Sequence, residues 1–220
     1  MQGFGFSRKF FPSTPKFGTW VKRANGQESL REVVITNGSR EWTLSCDLLA
    51  CGFGLVPNVE LAMSLGCRVE DGKVVVDASQ RTSLPDVYCA GEGTGIGGED
   101  AALLEGEIAA LTALGLPAAQ KIAQRRHWDS FVVNLNRAFA LRPELLRLAE
   151  DDTIVCRCED VSFGALRNQP DQRTAKLYSR CGMGPCQGKV CGPTCHALFG
   201  WDLNKPRWPL TPVKLDALIQ

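Results

Sequence analysis

The stretch Thr82-Ser83-Leu84-Pro85-Asp86-Val87-Tyr88-Cys89-Ala90-Gly91-Glu92-Gly93-Thr94-Gly95-Ile96-Gly97-Gly98 decides how this chain is read. It runs from a turn, through a short buried strand, into a glycine-rich loop that opens a helix from Glu99 to Leu114. Glycines let the backbone come close to a bound group. The helix N-terminus offers unpaired N–H groups and a partial positive charge, and the acid at the strand end can accept a hydroxyl hydrogen bond. Such a loop is a ligand cradle. A glycine-rich connection that binds nothing would have the same composition, so the order of the residues carries the argument. In the helix that follows, Leu103, Leu104, Ile108 and Leu111 recur at helical spacing, and Gly115-Leu116-Pro117 ends the run.

Upstream, Thr19 to Arg23, Arg31 to Thr36 and Glu41 to Ala50 are short β-prone runs separated by Asn25-Gly26 and Asn37-Gly38, which predicts a three-stranded meander. Pro57-Asn58-Val59-Glu60 offers an N-cap to a short helix with Leu61 and Leu65 on one face and Gly66 at its end. A β-branched run, Lys73 to Asp77, follows. Downstream, Gln120 to Phe139 and Glu144 to Glu150 read as two linker helices interrupted by Pro143, with a domain boundary near Asp151. Beyond Gly200, the prolines between Lys205 and Val213 predict an extended tail.

The 220 residues are 44% hydrophobic and 22% charged with a net charge of +1, ordinary for one or two globular domains. Basic residues form no block, so neither nucleic acid nor an anionic membrane is an expected partner. No apolar run reaches the roughly 20 residues of a membrane span, and Met1 to Arg23 lacks a secretory apolar core. A cytoplasmic location is the expectation. Ten cysteines stand out, and in that compartment they suggest metal binding or redox chemistry before disulfides. Cys46, Cys51, Cys67 and Cys89 share no ligand-type spacing and read as small buried hydrophobes. The other six lie between Cys156 and Cys195.

The string from Thr82 to Glu92 resembles the second flavin-binding motif of the FAD/NAD(P)-dependent pyridine nucleotide-disulphide oxidoreductases, T-x-x-x-x-V-[YF]-A-x-G-D, with Glu92 in the place of the acid. The resemblance implies that Gly91, Glu92, Gly93, Thr94, Gly95, Ile96, Gly97 and Gly98 line part of an FAD site, with Glu92 on the ribityl chain. Cys51-Gly52-Phe53-Gly54-Leu55-Val56-Pro57-Asn58 similarly resembles the family's G-x-x-P-N element. No G-x-G-x-x-G follows an early strand, so the pyrophosphate-holding half of such a fold is not found in the sequence. A natural fragment, a truncated gene product and a subunit completed by another polypeptide all remain open. No C-x-x-C precedes a helix in the front half, which disfavours a disulfide-reductase mechanism.

In the back half, Cys156-Arg157-Cys158 and Cys186-Gln187-Gly188-Lys189-Val190-Cys191 form C-x-C and C-x4-C pairs. Four thiolates are what a 2Fe-2S cluster needs, and Gly182, Gly184 and Gly188 would let backbone N–H groups reach the sulphurs. Structural zinc uses the same inventory but favours C-x2-C pairs. A metal-free cysteine knot is the third alternative. Together with Arg180-Cys181-Gly182-Met183-Gly184-Pro185, these residues resemble the bacterioferritin-associated-ferredoxin-like (BFD-like) 2Fe-2S domain. More narrowly, residues 19 to 215 resemble the flavoprotein subunits of the opine oxidase, hydrogen cyanide synthase and dye-linked proline or hydroxyproline dehydrogenase group. That resemblance implies Cys156, Cys158, Cys186 and Cys191 as ligands, with Cys181 and Cys195 as packing neighbours. A Rieske-type site would need two histidines, and His127 in the linker cannot be expected to join His196.

The expected fold is α/β: a partial Rossmann-like FAD/NAD(P)-binding domain with β-meander over 1–118, a helical linker over 119–150, a small α-helical 2Fe-2S domain over 151–200 and a tail over 201–220. The implied function is an electron-transferring flavin and iron–sulphur subunit of an amino-acid, imino-acid or opine dehydrogenase or oxidase, beside a second flavoprotein subunit that oxidises substrate. No residue presents itself as a catalytic base. The alternatives are a 2Fe-2S docking module without FAD and a zinc-stabilised interaction domain.

Overall fold

The computed structural model describes residues 16–202 together with 206, 208, 210, 211, 213, 214 and 216. The aromatic and basic stretch up to residue 15, and much of the proline-rich tail, lie outside the described residues. The chain divides into two compact units, one of residues 1–52 with 143–148, the other of 53–142 with 149–220.

The first unit carries the meander. Strands β1 (Trp20–Gly26), β2 (Leu30–Thr36) and β3 (Glu41–Ser45) form an antiparallel sheet in the order β1-β2-β3. Trp20 lies opposite Thr36, Thr36 opposite Glu41, and a bulge interrupts β1 between Val21 and Arg23. The central strand buries Val33, Val34, Ile35 and Thr36. β3 ends at Ser45, short of the expected Ala50: β2 begins at Leu30, so only one further bond, Cys46 N–H to Arg31 C=O at 3.1 Å, follows the Glu32–Ser45 pair. Asn37 Oδ1 accepts from Ser39 and Arg40 N–H, and Gly38 takes φ 91°, which closes the second turn as the sequence suggests. The first turn falls later than expected, after Gly26. Residues 143–147, also of this unit, form one 3-10 turn in place of the expected helix.

The second unit holds everything else relevant to function. Helix α1 (Glu60–Leu65) ends on Gly66 at φ 91°, and Asn58 Oδ1 accepts the Glu60 N–H at 3.4 Å. Leu61 and Leu65 do not form its packing face. Both are exposed, and the small core beneath the helix is built from Val59, Cys67 and Val74, with Ala62 and Met63 half-buried against it. The run Lys73 to Asp77 pairs only at Lys73–Val74 (β5), in a hairpin with Val69–Glu70 (β4) turned at Asp71-Gly72.

Helix α2 (Glu99–Ala113) buries Ala101, Glu105, Ile108 and Thr112, one stripe rotated from the leucine pattern, so Leu103 faces outward. The expected single helix over 120–139 is two, α3 (Ala119–Arg126) and α4 (Asp129–Ala138), broken at His127-Trp128. Further along, β6 (Ile154–Cys156) and β7 (Val161–Ser162) make a hairpin, and α5 (Phe163–Leu166), α6 (Gln172–Ser179) and α7 (Cys191–Phe199) complete a mainly helical module. Stacked rings of Phe163, Phe199 and Trp201, with centroids 5.4 and 4.5 Å apart, close one side of its core. All three sheets are antiparallel among the described residues, and no helix there is long and apolar enough to cross a membrane.

Candidate functional site

The glycine loop is shaped before any ligand is considered. Thr82 closes the turn ahead of it: its hydroxyl donates to Val87 C=O at 2.9 Å and accepts from Leu84 N–H at 3.2 Å. The expected short strand ahead of the loop reduces to one bridge, Arg81 with Tyr88, because the turn consumes the residues that would extend the pairing. Gly91 at φ 77° then starts a 3-10 turn over Gly91–Thr94, and Gly95 (φ 134°) and Gly98 (φ 85°) bend the chain again. Those angles suit glycine alone among ordinary residues. A Cβ on Gly93 would lie 3.1 Å from Cys89 Sγ, and one on Gly97 would lie 3.3 Å from both Ala101 and Val132. The Lys73 side chain runs alongside Gly95.

What holds this loop is a residue that sequence reasoning missed. Glu105 is 5% exposed in the middle of α2. Its Oε2 accepts from Gly91 N–H at 2.8 Å and from the Thr94 hydroxyl at 3.1 Å, and its Oε1 accepts from Arg125 Nε at 2.7 Å. Arg125 also reaches Asp129 at 2.9 Å. A buried carboxylate is tolerable when it is paired and hydrogen-bonded in this way. The sequence signal was available: Ala101, Glu105, Ile108 and Thr112 lie at helical spacing, with one charge inside the stripe.

Chemically, the loop suits a neutral, hydroxyl-bearing part of a ligand better than a phosphate. Helix α2 has no side-chain cap at Gly98, but Glu99 and Asp100 in its first turn already answer the dipole. Glu92 is exposed, and among the described residues it makes no side-chain hydrogen bond or ion pair, so its carboxylate is free to accept from a ligand hydroxyl. The Cβ side of Gly93, Gly95 and Gly97 is taken by Cys89, Lys73, Ala101 and Val132, so the chain's own side chains pack against the loop there. The free Glu92 carboxylate fits an FAD ribityl segment.

The second cluster is made of thiols. Cys156 ends β6, Cys181 follows α6, and Cys191 begins α7; all are 1% exposed, and their sulphurs lie within 4.8 Å of one another. Cys158 and Cys186 meet at 3.6 Å nearer the surface. Tetrahedral thiolates with bonds of about 2.3 Å sit about 3.8 Å apart, so both groups have metal-compatible spacing. Gly184 makes the outer pair possible, since a Cβ there would lie 2.2 Å from Cys158 Cβ. Gly182 and Gly188, at φ 80° and 85°, pack backbone on backbone beneath the sulphurs.

Electrostatics separates the two groups. Burial opposes the Cys186 thiolate, yet backbone N–H groups of Val190, Gly188 and Lys189, with the Cys158 thiol, outweigh it and hold its pKa below that of an ordinary thiol. The Cys181 thiol is pulled down by its hydrogen bond with Cys191, but the Cys195 thiol and burial outweigh that and push it up to about 12. Cys191 is raised by its hydrogen bond with Cys181 and by burial. Cys186 thus favours thiolate unaided, whereas at Cys158 the pull of the Cys186 N–H is outweighed by the Cys186 thiol and by burial, so that its pKa, like those of Cys181 and Cys191, is raised and a metal's charge would favour ionisation.

Of the four cysteines read as packing residues in the front half, only Cys67 is buried; Cys46 and Cys89 are half-buried and Cys51 is exposed, so the last packs nothing. Cys195 is fully buried in the module core. His196 Nδ1–H donates to Trp201 C=O at 2.7 Å and His127 Nδ1–H to Ala123 C=O at 2.9 Å, which are structural roles. Sequence reasoning also missed the ion pair between Lys189 Nζ, inside the C-x4-C loop, and Glu60 at 3.3 Å, which ties that loop to α1. A shallow cleft of about 340 Å³ lined by Arg81, Thr112, Leu116 and Ile122 shares no residue with either cluster.

Residues 14–113 match the family model of the pyridine nucleotide-disulphide oxidoreductases. The chain is 29% identical to the hydrogen cyanide synthase subunit HcnB of Pseudomonas protegens, over 92% of this chain and 51% of that one. It is 36% identical to an opine oxidase subunit of Rhizobium meliloti strain 1021, over 72% of this chain and 38% of that one, and 31% identical to the corresponding Agrobacterium tumefaciens protein, over 87% and 44%. A crystal structure of L-proline dehydrogenase from P. horikoshii shares the fold, with TM-score 0.62 at 24% identity, over 90% of this chain and 44% of that one. The chain spans about half the length of the curated relatives it matches. The described residues form a mixed α/β fold, shared with the L-proline dehydrogenase structure.

Proposed function

We propose that this chain is an electron-transferring flavin and iron–sulphur subunit, or the C-terminal part of one, of a hetero-oligomeric oxidoreductase acting on an amino acid, imino acid or opine. The observation that carries the reading is the thiol pairing: Cys158 with Cys186 at 3.6 Å, and Cys156 with Cys191 inside the buried group. Each pair takes one cysteine from each motif. That is the division two irons require, two thiolates apiece. When bound, the flavin accepts a hydride equivalent and the 2Fe-2S cluster carries single electrons.

The chain's own residues have separable roles in this reading. The loop from Gly91 to Gly98 brings backbone against the flavin side, Glu92 accepts a ribityl hydroxyl, and Glu105 fixes the loop from behind. N–H groups of Gly188, Lys189 and Val190 stabilise charge on the Cys186 sulphur. Exposed Cys158 gives the centre its solvent-facing side, where an electron partner can approach. Substrate oxidation is assigned to a second flavoprotein subunit. The relatives are themselves named as subunits of hydrogen cyanide synthase and opine oxidase. In domain terms the flavin part covers 1–118, the linker 119–150, the cluster part 151–200 and the tail 201–220, in the cytoplasm.

Visible absorption of the anaerobically purified protein with FAD added tests the reading. Flavin bands with a reddish charge-transfer envelope are expected, and the envelope alone would leave a cluster module without flavin. A second reading, one zinc ion on Cys156, Cys181 and Cys191, is favoured by the mutual distances of that trio. A colourless protein with stoichiometric zinc would replace the first reading with the second.

A further inference from the structure

The buried side of the cysteine module holds one thiol more than a 2Fe-2S cluster uses. Cys156, Cys181 and Cys191 come from three different elements, yet their sulphurs lie within 4.8 Å of one another. Among the described residues no third metal-ligating side chain joins Cys158 and Cys186 in the same way. The two sides of the site are therefore unequal in donors.

We infer that Cys181 is a reserve ligand, able to take the place of Cys191 on the inner metal, and that the outer pair Cys158 and Cys186 has no such substitute. The inference rests on the iron–sulphur reading. Packing alone explains Cys181 poorly, because its sulphur lies within 4.8 Å of both Cys156 and Cys191. Gly182, next in the chain, adds no side chain to the site, and its would-be Cβ lies 3.9 Å from Cys191 Sγ. Sulphurs on one tetrahedral metal sit about 3.8 Å apart, so rotation about the Cys181 side chain suffices. In the exchange an Fe–S bond to Cys181 forms as the one to Cys191 breaks, the Cys181 thiol proton passing through water to the departing Cys191 thiolate with no electron transferred; in Cys191→Ala, where nothing departs, that proton goes to water.

The test compares Cys191→Ala, Cys181→Ala, the Cys181→Ala/Cys191→Ala double variant and Cys186→Ala, all purified anaerobically. Iron, acid-labile sulphide and the EPR spectrum of the dithionite-reduced protein are the readouts. Cys181→Ala should match wild type in all three. Cys191→Ala should keep at least about half of the wild-type sulphide with shifted g-values, while the double variant and Cys186→Ala should lose it about tenfold. If Cys191→Ala fails to fold, Cys191→Val, which fills the volume without offering a ligand atom, gives the same comparison. Loss of sulphide in the folded Cys191 variant, or equal retention in the single and double variants, overturns the inference while leaving the cluster reading intact. Absence of sulphide from wild type overturns both.

Discussion

The glycine loop and the thiol group lie in the same unit and both have buried centres, but they are held by opposite chemistry. The loop hangs on a charge, the Glu105 carboxylate, whose two oxygens are occupied by Gly91 N–H, the Thr94 hydroxyl and Arg125. The inner thiols sit in an apolar shell of Val155, Val161, Leu166 and Trp201, beside one another. A carboxylate is costly to bury and demands an exact set of donors; a thiol costs little and demands none. The loop is therefore preorganised by the protein itself. On the proposed reading, the thiol site would draw its final rigidity from its metal.

Breaking the loop's support should produce the largest loss of stability. Glu105→Ala leaves the Arg125 guanidinium and the Gly91 N–H without their partner, at an expected cost of about 3 kcal/mol, read as a lower urea midpoint. The visible spectrum of the thiol site should be unchanged. A cost below about 0.5 kcal/mol would mean that solvent replaces the carboxylate and that the loop does not depend on it. Breaking the other side works through sterics. Gly184→Ala puts a methyl group 2.2 Å from Cys158 Cβ, and it should cost about 2 kcal/mol while distorting the spectrum. Wild-type stability and spectrum in that variant would contradict the close approach.

How far these two regions were legible in the sequence follows from the same contrast. The cysteine motifs could be read as candidates from their short spacings, 156 with 158 and 186 with 191, and the folded module brings Cys158 to Cys186 and Cys156 to Cys191. That Cys181 joins the inner group could not be read, because its position depends on where the chain turns after α6, at Arg180 in the left-handed region (φ 64°). The loop's glycines were legible, since Gly91, Gly95 and Gly98 do take positive φ. Its support was not, because Glu105 lies 14 residues from Gly91 and only the stripe it shares with Ala101 and Ile108 marks it as inward-facing. The leucine pattern misled for the same reason: Leu103 lies outside the buried stripe. The linker divides at His127-Trp128, where Trp128 packs edge-on against Phe131 at 5.6 Å, a local contact that helical periodicity does not report.

The smallest expected effect sharpens the contrast from the thiol side's own scaffold. Asp171 caps α6, its carboxylate accepting from Thr174 N–H at 2.7 Å, and that hydrogen bond holds its pKa below the usual carboxylate range. A folded-state pKa depressed in this way contributes stability above the unfolded pKa. That contribution is lost as pH falls through the folded value, so the helix leading to Cys181 should loosen only in acid. Asp171→Asn should remove this part of the pH dependence, followed as the thermal midpoint from neutral pH down into the acid range. An unchanged profile would show that the cap is not coupled to folding.

Acid-labile sulphide and iron, counted per chain on anaerobically purified protein, go to the heart of the matter. About two of each per chain are expected from a cluster on Cys156, Cys158, Cys186 and Cys191. Absence of sulphide together with one zinc per chain would contradict it.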